Sequence, residues 1–139
     1  MMNSATVSAE LGLSLVVPEH GAVPLVASLY YSADDPYAVR MAFHVGMDDP
    51  VEWIFARDLL AAGLEGPAGE GDVQVWPSDD RGSEVLNIAL SSPFGEAHFE
   101  APRTATSEFL RRTYEVISGG RESDFVDLDS ELDELLWRA

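Results

Sequence analysis

Three histidines are the residues of this sequence best suited to bind a metal or transfer a proton near neutral pH. His20 falls in a predicted turn, whereas His44 and His98 fall in predicted strands. No two have the i, i+4 spacing of a helical metal site or the i, i+2 spacing of one strand face. His44 and His98 could meet on adjacent strands, but solvated or packed strand histidines are the interpretation we favour.

Paired carboxylates are the other candidates for acid–base chemistry. They occur at Asp34-Asp35, Asp48-Asp49 and Asp79-Asp80, each beside proline, serine or glycine in a predicted turn. A general acid needs a raised pKa in an apolar pocket, whereas turn carboxylates are solvated and cap local backbone. The acidic residues of 122–134 lack the spacing and central glycine of a calcium loop, and they indicate a solvated helix face.

Nucleophile and phosphate motifs are also missing. The chain has no cysteine, which excludes thiolate metal sites, disulfides and cysteine nucleophiles. The glycines between Gly66 and Gly71 do not lead a strand into a helix with a lysine, and Glu65, Glu70 and Asp72 would repel phosphate. We therefore expect no enzymatic activity, no cofactor and no bound metal.

The charge balance favours a protein partner. The chain has 25 acidic and 8 basic residues, a net charge of −17, and all of the basic residues are arginine. Such a field repels nucleic acid and anionic membrane surfaces unless a local basic patch overrides it. The one adjacent basic pair, Arg111-Arg112, is a weak phosphate footprint. A partner with cationic or apolar features is expected.

The expected compartment is the cytoplasm. No apolar run approaches 18 residues, and the N-terminus lacks a basic region followed by an apolar stretch. These features predict neither a membrane span nor a secretory signal. The absence of cysteine fits a reducing cytosol.

Alternating apolar residues predict seven strands that would hold any site. Along Thr6–Val17 the apolar side chains share one face and the polar side chains the other, as in a half-buried antiparallel strand. Similar alternation predicts strands within 25–31, 39–45, 51–55, 73–77 and 96–100. Residues 85–91 are partly apolar on both faces, which predicts a central strand. Glycine, proline and aspartate clusters separate them, including a polar turn over 78–83.

Three helices complete the predicted fold. A short helix covers 57–62 and stops at Gly63, and a longer amphipathic helix opens near Pro102 and ends at Gly119-Gly120. A loop at about 118–126 precedes an acidic C-terminal helix with Asp127 as its N-cap. The whole chain, 1–139, is then one α+β domain. It contains a strongly curved antiparallel sheet or barrel of about seven strands with two to three helices.

Aromatic residues divide between core and surface. Trp76 lies on the strand face opposite Val73 and Val75 and is expected to be exposed. Trp137, near the end of the C-terminal helix, either anchors another chain or packs within its own. Four other aromatics lie on apolar stripes and are expected in the core: Tyr37, Phe43, Trp53 and Phe55.

Several sequence blocks carry a resemblance. They are Asp35-Pro36-Tyr37-Ala38-Val39-Arg40, the run Val51-Glu52-Trp53-Ile54-Phe55-Ala56-Arg57-Asp58-Leu59-Leu60, Leu90-Ser91-Ser92-Pro93, Phe109-Leu110-x-Arg112-Thr113 and Phe125-x-Asp127-Leu128. In this order, from about Val7 to Leu136, the chain resembles the SsgA-like proteins of sporulating actinomycetes. Val75-Trp76-Pro77 and Leu90-Ser91-Ser92-Pro93 are most similar to the SsgB-like branch of that family.

The resemblance implies a function that composition does not reveal. Proteins of this branch are non-enzymatic regulators of sporulation-specific cell division. They help to localise FtsZ, the tubulin-like division protein, to septum sites together with a membrane-associated SsgA-like paralogue. The resemblance implies a cytoplasmic protein concentrated at division septa, without direct membrane insertion. It also implies a homotrimer with a Whirly-like fold, whose relatives bind single-stranded nucleic acid.

Three hypotheses follow. The first is a division-site adaptor that binds protein as a trimer. The second is a single-stranded nucleic-acid binder of Whirly type, which predicts clustered arginines and exposed aromatics on one sheet face. It is disfavoured because a trimer would carry about −51, three times the −17 of one chain. The third is a small enzyme or ligand-binding barrel with His44 or His98 in a deep pocket near a buried carboxylate.

The residues expected to contact a partner or a neighbouring subunit are polar residues of the family blocks and two tryptophans. They are Arg57, Asp58, Trp76, Arg112, Asp127 and Trp137.

Overall fold

In the part of the chain that the structure describes, seven antiparallel strands form one curled sheet, a half-barrel that carries two helices. The computed structural model describes residues 6–46, 49–80, 82–93 and 95–125. The strands are β1 (Thr6–Val17), β2 (Gly21–Ser32), β3 (Ala38–His44), β4 (Val51–Ala56), β5 (Val73–Asp80), β6 (Ser83–Ser92) and β7 (Gly95–Pro102). The helices are α1 (Arg57–Gly63) and α2 (Arg103–Val116), and a 3-10 turn covers Glu122–Phe125. The predicted α+β class with a curved antiparallel sheet is confirmed.

Two consecutive meanders meet in the middle of the sheet. Its strand order is β4-β3-β2-β1-β7-β6-β5, so β1 and β7 join the first four strands to the last three. Alternate residues of each strand face the core: in β1, Val7, Leu11 and Leu13 are buried, whereas the residues at the other positions, Thr6, Ser8 and Glu10, are exposed. The period of two therefore predicted the bounds of β1 correctly.

Curling brings strands that are distant in the sheet into contact. β2 and β1 separate β3 from β7, yet the rings of Phe43 and Phe99 stack with centroids 4.4 Å apart. Leu60 of α1 and Phe109 and Leu110 of α2 pack into the same core. The core thus lies between the inner face of the half-barrel and the two helices.

Two local predictions are corrected. The turn predicted over 78–83 is shorter, because β5 runs to Asp80 and β6 begins at Ser83. The Asp79 carboxylate accepts a hydrogen bond from the Gly82 N–H at 2.8 Å and stabilises this tight connection. Tyr37, predicted in the core, is 49% exposed because it belongs to the turn between β2 and β3.

Gly63 ends α1 for a packing reason rather than a conformational one. Its φ is not in the left-handed region that a glycine C-cap uses. A Cβ at this position would instead lie 2.8 Å from Val75 Cβ and would also collide with Val75 Cγ2. The glycine therefore allows the helix to approach β5 closely.

We expect Gly63→Ala to lower the free energy of unfolding by about 2 kcal/mol, as overpacking does in a close-packed core. Urea denaturation measures the change. Gly66→Ala is the matched control, because a Cβ there meets nothing within 4 Å. Equal stability of the two variants would contradict the packing explanation.

Candidate protein-interaction surface

Arg57 is not at the surface, and its prediction as a contact residue is corrected. It begins α1, and its side chain is fully buried, with a relative exposure of 0%. One terminal nitrogen, Nη1, donates to the carbonyls of Thr113 at 3.1 Å and Ile117 at 2.8 Å. The other, Nη2, forms a 2.8 Å salt bridge with Glu122. A partner cannot reach this guanidinium in the folded chain.

The surroundings of Arg57 explain why it is buried in this place. Its guanidinium carbon lies 4.1 Å from the ring centroid of Tyr114 and 4.9 Å from that of Tyr31, within range of cation–π attraction. The carbonyls that it satisfies lie at the end of α2, where a helix dipole favours a cation. The hydrogen bond from Arg57 lowers the pKa of the Glu122 carboxyl below its ordinary range.

Asp58 and Arg112 lie at the surface, but each already has an intramolecular contact. The Asp58 carboxylate accepts a hydrogen bond from the Tyr114 hydroxyl at 3.2 Å. Burial, followed by the charge of Asp58, raises the pKa of Tyr114 to about 12. Arg112 is exposed, and its guanidinium donates to the Ser8 carbonyl at 3.3 Å. As contact residues, both remain predictions.

Trp76 lies on the outer face of the sheet, as its position in β5 predicted, but it is half-buried. Its ring packs against His98 on β7 with centroids 5.3 Å apart. The Asn87 side-chain amide donates to the Trp76 carbonyl at 3.1 Å, so the amide oxygen faces His98. Because that oxygen only accepts hydrogen bonds, His98 Nε2 must carry a proton. The three residues form one interlocked cluster.

The predicted contact residues do not come together in one site. Arg57 and Asp58 begin α1, Arg112 lies on α2 and Trp76 lies on the outer face of β5. Asp127 and Trp137 lie outside the described residues.

A more continuous surface lies on the outer face of β2, β3 and β4, and the sequence predictions missed it. Strand register aligns Tyr30 with Arg40 and Arg40 with Ile54, so these outward side chains form one row. Tyr30 is 47% exposed and Ile54 is 61% exposed. Val26, which lies four residues before Tyr30 and faces the same side of β2, is 44% exposed. We define the outer patch as Val26, Tyr30, Arg40, Glu52 and Ile54.

The shape of the outer patch suits it to contact with another protein. Buried Ser28 and Ala42 form a low row between the tall side chains of Tyr30 and Val26. Arg40 and Glu52 form a half-exposed salt bridge at 3.4 Å across this face. A cleft of about 300 Å³ adjoins Tyr30, Arg40 and Ile54. Aromatic, arginine and apolar residues around a recess are the residue types that anchor protein interfaces.

One signal could have identified this surface from sequence. In a strand with one solvated face, apolar residues alternate with polar ones. The segments Leu25-Val26-Ala27 and Trp53-Ile54-Phe55 are instead apolar at inward-facing and outward-facing positions alike. Both segments belong to strands whose outer face is exposed in the structure. Continuous apolar residues in such strands mark the outer patch.

His44 and His98 lie apart in the sheet, and each is hydrogen-bonded to a neighbouring polar side chain. The strands of His44 and His98, β3 and β7, are not neighbours in the sheet. The Nε2 atom of His44 is 2.9 Å from Ser28 Oγ, and that of His98 is 2.8 Å from Asn87 Oδ1. No cluster of three potential metal ligands occurs within residues 6–46, 49–80, 82–93 and 95–125. Within the same ranges, no helix is long and apolar enough to cross a bilayer.

Comparison with known proteins identifies the family. The sequence profile described as "Streptomyces sporulation and cell division protein, SsgA" matches residues 25–122. The chain belongs to this SsgA family. It is 57% identical over 137 residues to the sporulation-specific cell division protein SsgB of Thermobifida fusca, covering 98% of this chain and 99% of the relative. It is 52% identical over 133 residues to SsgB of Streptomyces coelicolor, covering 96% and 97%.

Solved structures of SsgA-family proteins have the same fold. One comes from work correlating mutations in SsgB with longitudinal cell division during sporulation of Streptomyces coelicolor. It has a TM-score of 0.87 at 50% identity and covers 91% of this chain and 99% of its own. The SsgA-like protein of Thermobifida fusca has a TM-score of 0.86 at 55% identity, covering 96% and 98%. The predicted resemblance to SsgA-like proteins, SsgB-like branch, is confirmed.

We expect Arg57→Met to lower the free energy of unfolding by about 3–5 kcal/mol, because Glu122 would remain buried without its cation. Urea denaturation with a fluorescence readout measures the loss. Arg112→Met is the matched control, since Arg112 is exposed and should change stability by less than about 0.5 kcal/mol. Similar losses for the two variants would show that Arg57 is no more important than a surface arginine.

The same ion pair predicts a pH dependence. In the folded chain the pKa of Glu122 is lowered from its ordinary value of 4.5. The ionised carboxylate therefore contributes its full stabilisation of the fold above pH 4.5, and this contribution is lost as the pH falls through the lowered pKa. Glu122→Gln should therefore be less stable than the parent chain at pH 7, and the difference should shrink below about pH 4.5. Urea midpoints across this range test the expectation, and a difference that is independent of pH would refute it.

Proposed function

We propose that this chain helps to localise FtsZ to septum sites during sporulation-specific cell division, acting through protein contacts and without catalysis. The proposal is supported by its relatives, which are named sporulation-specific cell division proteins. The outer patch carries the proposal, because exposed Tyr30 and Ile54 flank a recess on an otherwise ordered sheet face. Exposed apolar surfaces of this kind mark interaction sites.

The charge distribution supports a protein partner over nucleic acid. Five of the six arginines in the described part of the chain form salt bridges with acidic side chains, and the sixth, Arg112, donates to a backbone carbonyl. The cation–π contacts in the described part of the chain join Arg57 to Tyr31 and Tyr114, and none involves the half-buried Trp76–His98 pair on the other half of the outer face. A stacking platform for bases needs such cations beside it.

Self-association would strengthen a weak contact with a filament. We infer from the family resemblance that the chain acts as a homotrimer, in which three copies of one site would gain avidity for a polymer of FtsZ subunits. An SsgA-like paralogue is the second proposed partner, and the division septum in the cytoplasm is the proposed location. The trimer and both partners rest on the family resemblance.

Tyr30→Ala tests the outer patch. It should weaken FtsZ binding roughly tenfold, as truncation of an interface anchor does, in co-sedimentation with polymerised FtsZ. Tyr37→Ala is the matched control, because Tyr37 is similarly exposed, at 49%, and lies outside the patch. Equal binding by both variants would overturn the assignment of this surface.

Two further measurements accompany that experiment. Light scattering on the same samples gives the oligomeric state, so a loss of FtsZ binding is separated from a loss of self-association. Titration with single-stranded DNA at moderate salt tests the alternative of a Whirly-type nucleic-acid binder. DNA binding with a steep salt dependence, without FtsZ binding, would overturn the adaptor function.

A further inference from the structure

The two meanders of the sheet are joined by unusually little pairing. β1 pairs with β2 along all twelve of its residues. With β7 it pairs only at Ser14–Glu100 and Leu15–Phe99. Both strands continue beyond these pairs, β1 to Val17 and β7 back to Gly95, and each remains paired on its other side. No further pair joins the two strands beyond Leu15 and Phe99, and we call this unpaired stretch, between residues 16–18 and 95–98, the β1–β7 slot.

A groove of about 550 Å³ lies along the slot. Its lining includes Val16, Ala89 and His98, which face outward from three strands, together with Val17, Leu90 and Ala97. On the inner side the slot adjoins an apolar cleft of about 330 Å³ that reaches Phe43 and Phe99.

The shape of the slot matches an extended segment. Residues 95–98 of β7 have no strand partner toward β1, so this edge can accept another strand. Four strand residues span roughly 13 Å at about 3.3 Å each. Leu15, Val17 and Ala97 are half-buried and would pack against alternate apolar side chains of the added strand. This is the arrangement by which sheets bind peptides by strand addition.

The charge of the slot specifies its occupant. Glu96 lines the slot, and Glu19 lies in the exposed turn directly after β1. None of the arginines in the described residues lines it. The chain as a whole carries a net charge of −17, which attracts cationic segments and repels acidic ones.

We propose that the β1–β7 slot binds an extended, positively charged segment of a partner protein, which pairs with the free edge of β7 and places its apolar side chains toward Leu15, Val17 and Ala97. This goes beyond the proposed function, because no residue of the outer patch lines the slot.

Synthetic peptides test the mode of binding. The probe is a capped octapeptide of alternating lysine and valine, titrated by calorimetry at moderate salt. A glutamate–valine peptide should bind at least tenfold more weakly. The lysine–valine peptide methylated at every backbone nitrogen should not bind, because it has no N–H to donate to a strand edge. Hydrogen exchange should slow at residues 95–98 when the unmethylated lysine–valine peptide is bound. Binding of the methylated peptide as tight as that of the unmethylated one would overturn strand addition.

Substitutions test the location. Glu96→Lys should weaken binding of the lysine–valine peptide roughly fivefold, the size of an exposed ion pair. Ala97→Trp should abolish binding by filling the slot. Glu10→Lys is the matched control, because it makes the same charge change on an exposed β1 position outside the slot, and it should alter binding less than twofold. Equal weakening by Glu96→Lys and Glu10→Lys would show non-specific attraction and refute the slot.

The readouts separate this proposal from the proposed function. Circular dichroism shows whether Ala97→Trp folds. If it does not fold, Glu96→Lys still tests the proposal, because it changes only an exposed side chain. Glu96→Lys should bind FtsZ like the parent chain, and Tyr30→Ala should bind the peptide like the parent chain. Loss of peptide binding in Tyr30→Ala, with Glu96→Lys unaffected, would refute the slot whatever the outcome for FtsZ.

Discussion

The buried guanidinium of Arg57 imposes a constraint on the rest of this fold. A cation without access to water must be paired and hydrogen-bonded, or its burial costs several kcal/mol. Its partners come from residues that lie 56 to 65 positions further along the chain, at the end of α2 and in the following 3-10 turn. The junction of β4 with α1 is therefore connected to the end of α2. Only one nitrogen of the guanidinium, Nε, lacks a hydrogen-bond partner among the described residues.

This constraint also explains what the sequence could and could not predict. Strand alternation and helix periodicity are local signals, so they predicted β1 and the positions of both helices from neighbouring residues alone. The burial of Arg57 depends on Glu122 and on two carbonyls that come close only after folding. An arginine at the start of a helix is normally solvated. Local pattern therefore placed it at the surface, where its charge would need no partner.

The same distinction applies to the aromatics. Phe43 and Phe55 follow the inward parity of their strands and are buried as predicted. Tyr37 matched an apolar stripe in sequence, but it lies before β3 begins, where parity no longer determines orientation. Trp76 has outward parity, yet His98 and Asn87 cover part of it. The alternation along a strand determines on which face of the sheet a side chain lies. How exposed that side chain is depends on its neighbours from other strands.

The two halves of the outer face consequently differ in what they offer a partner. On β5–β7, the Asn87 side-chain amide and Nε2 of His98 are hydrogen-bonded within the chain, and the Trp76 ring packs against His98. On β2–β4, Tyr30, Val26 and Ile54 stand exposed around a floor of small residues. Strand pairing already aligns Tyr30, Arg40 and Ile54 in one row before any partner binds. Prior alignment of contact residues lowers the entropy cost of binding, which is what the proposed contact through the outer patch requires.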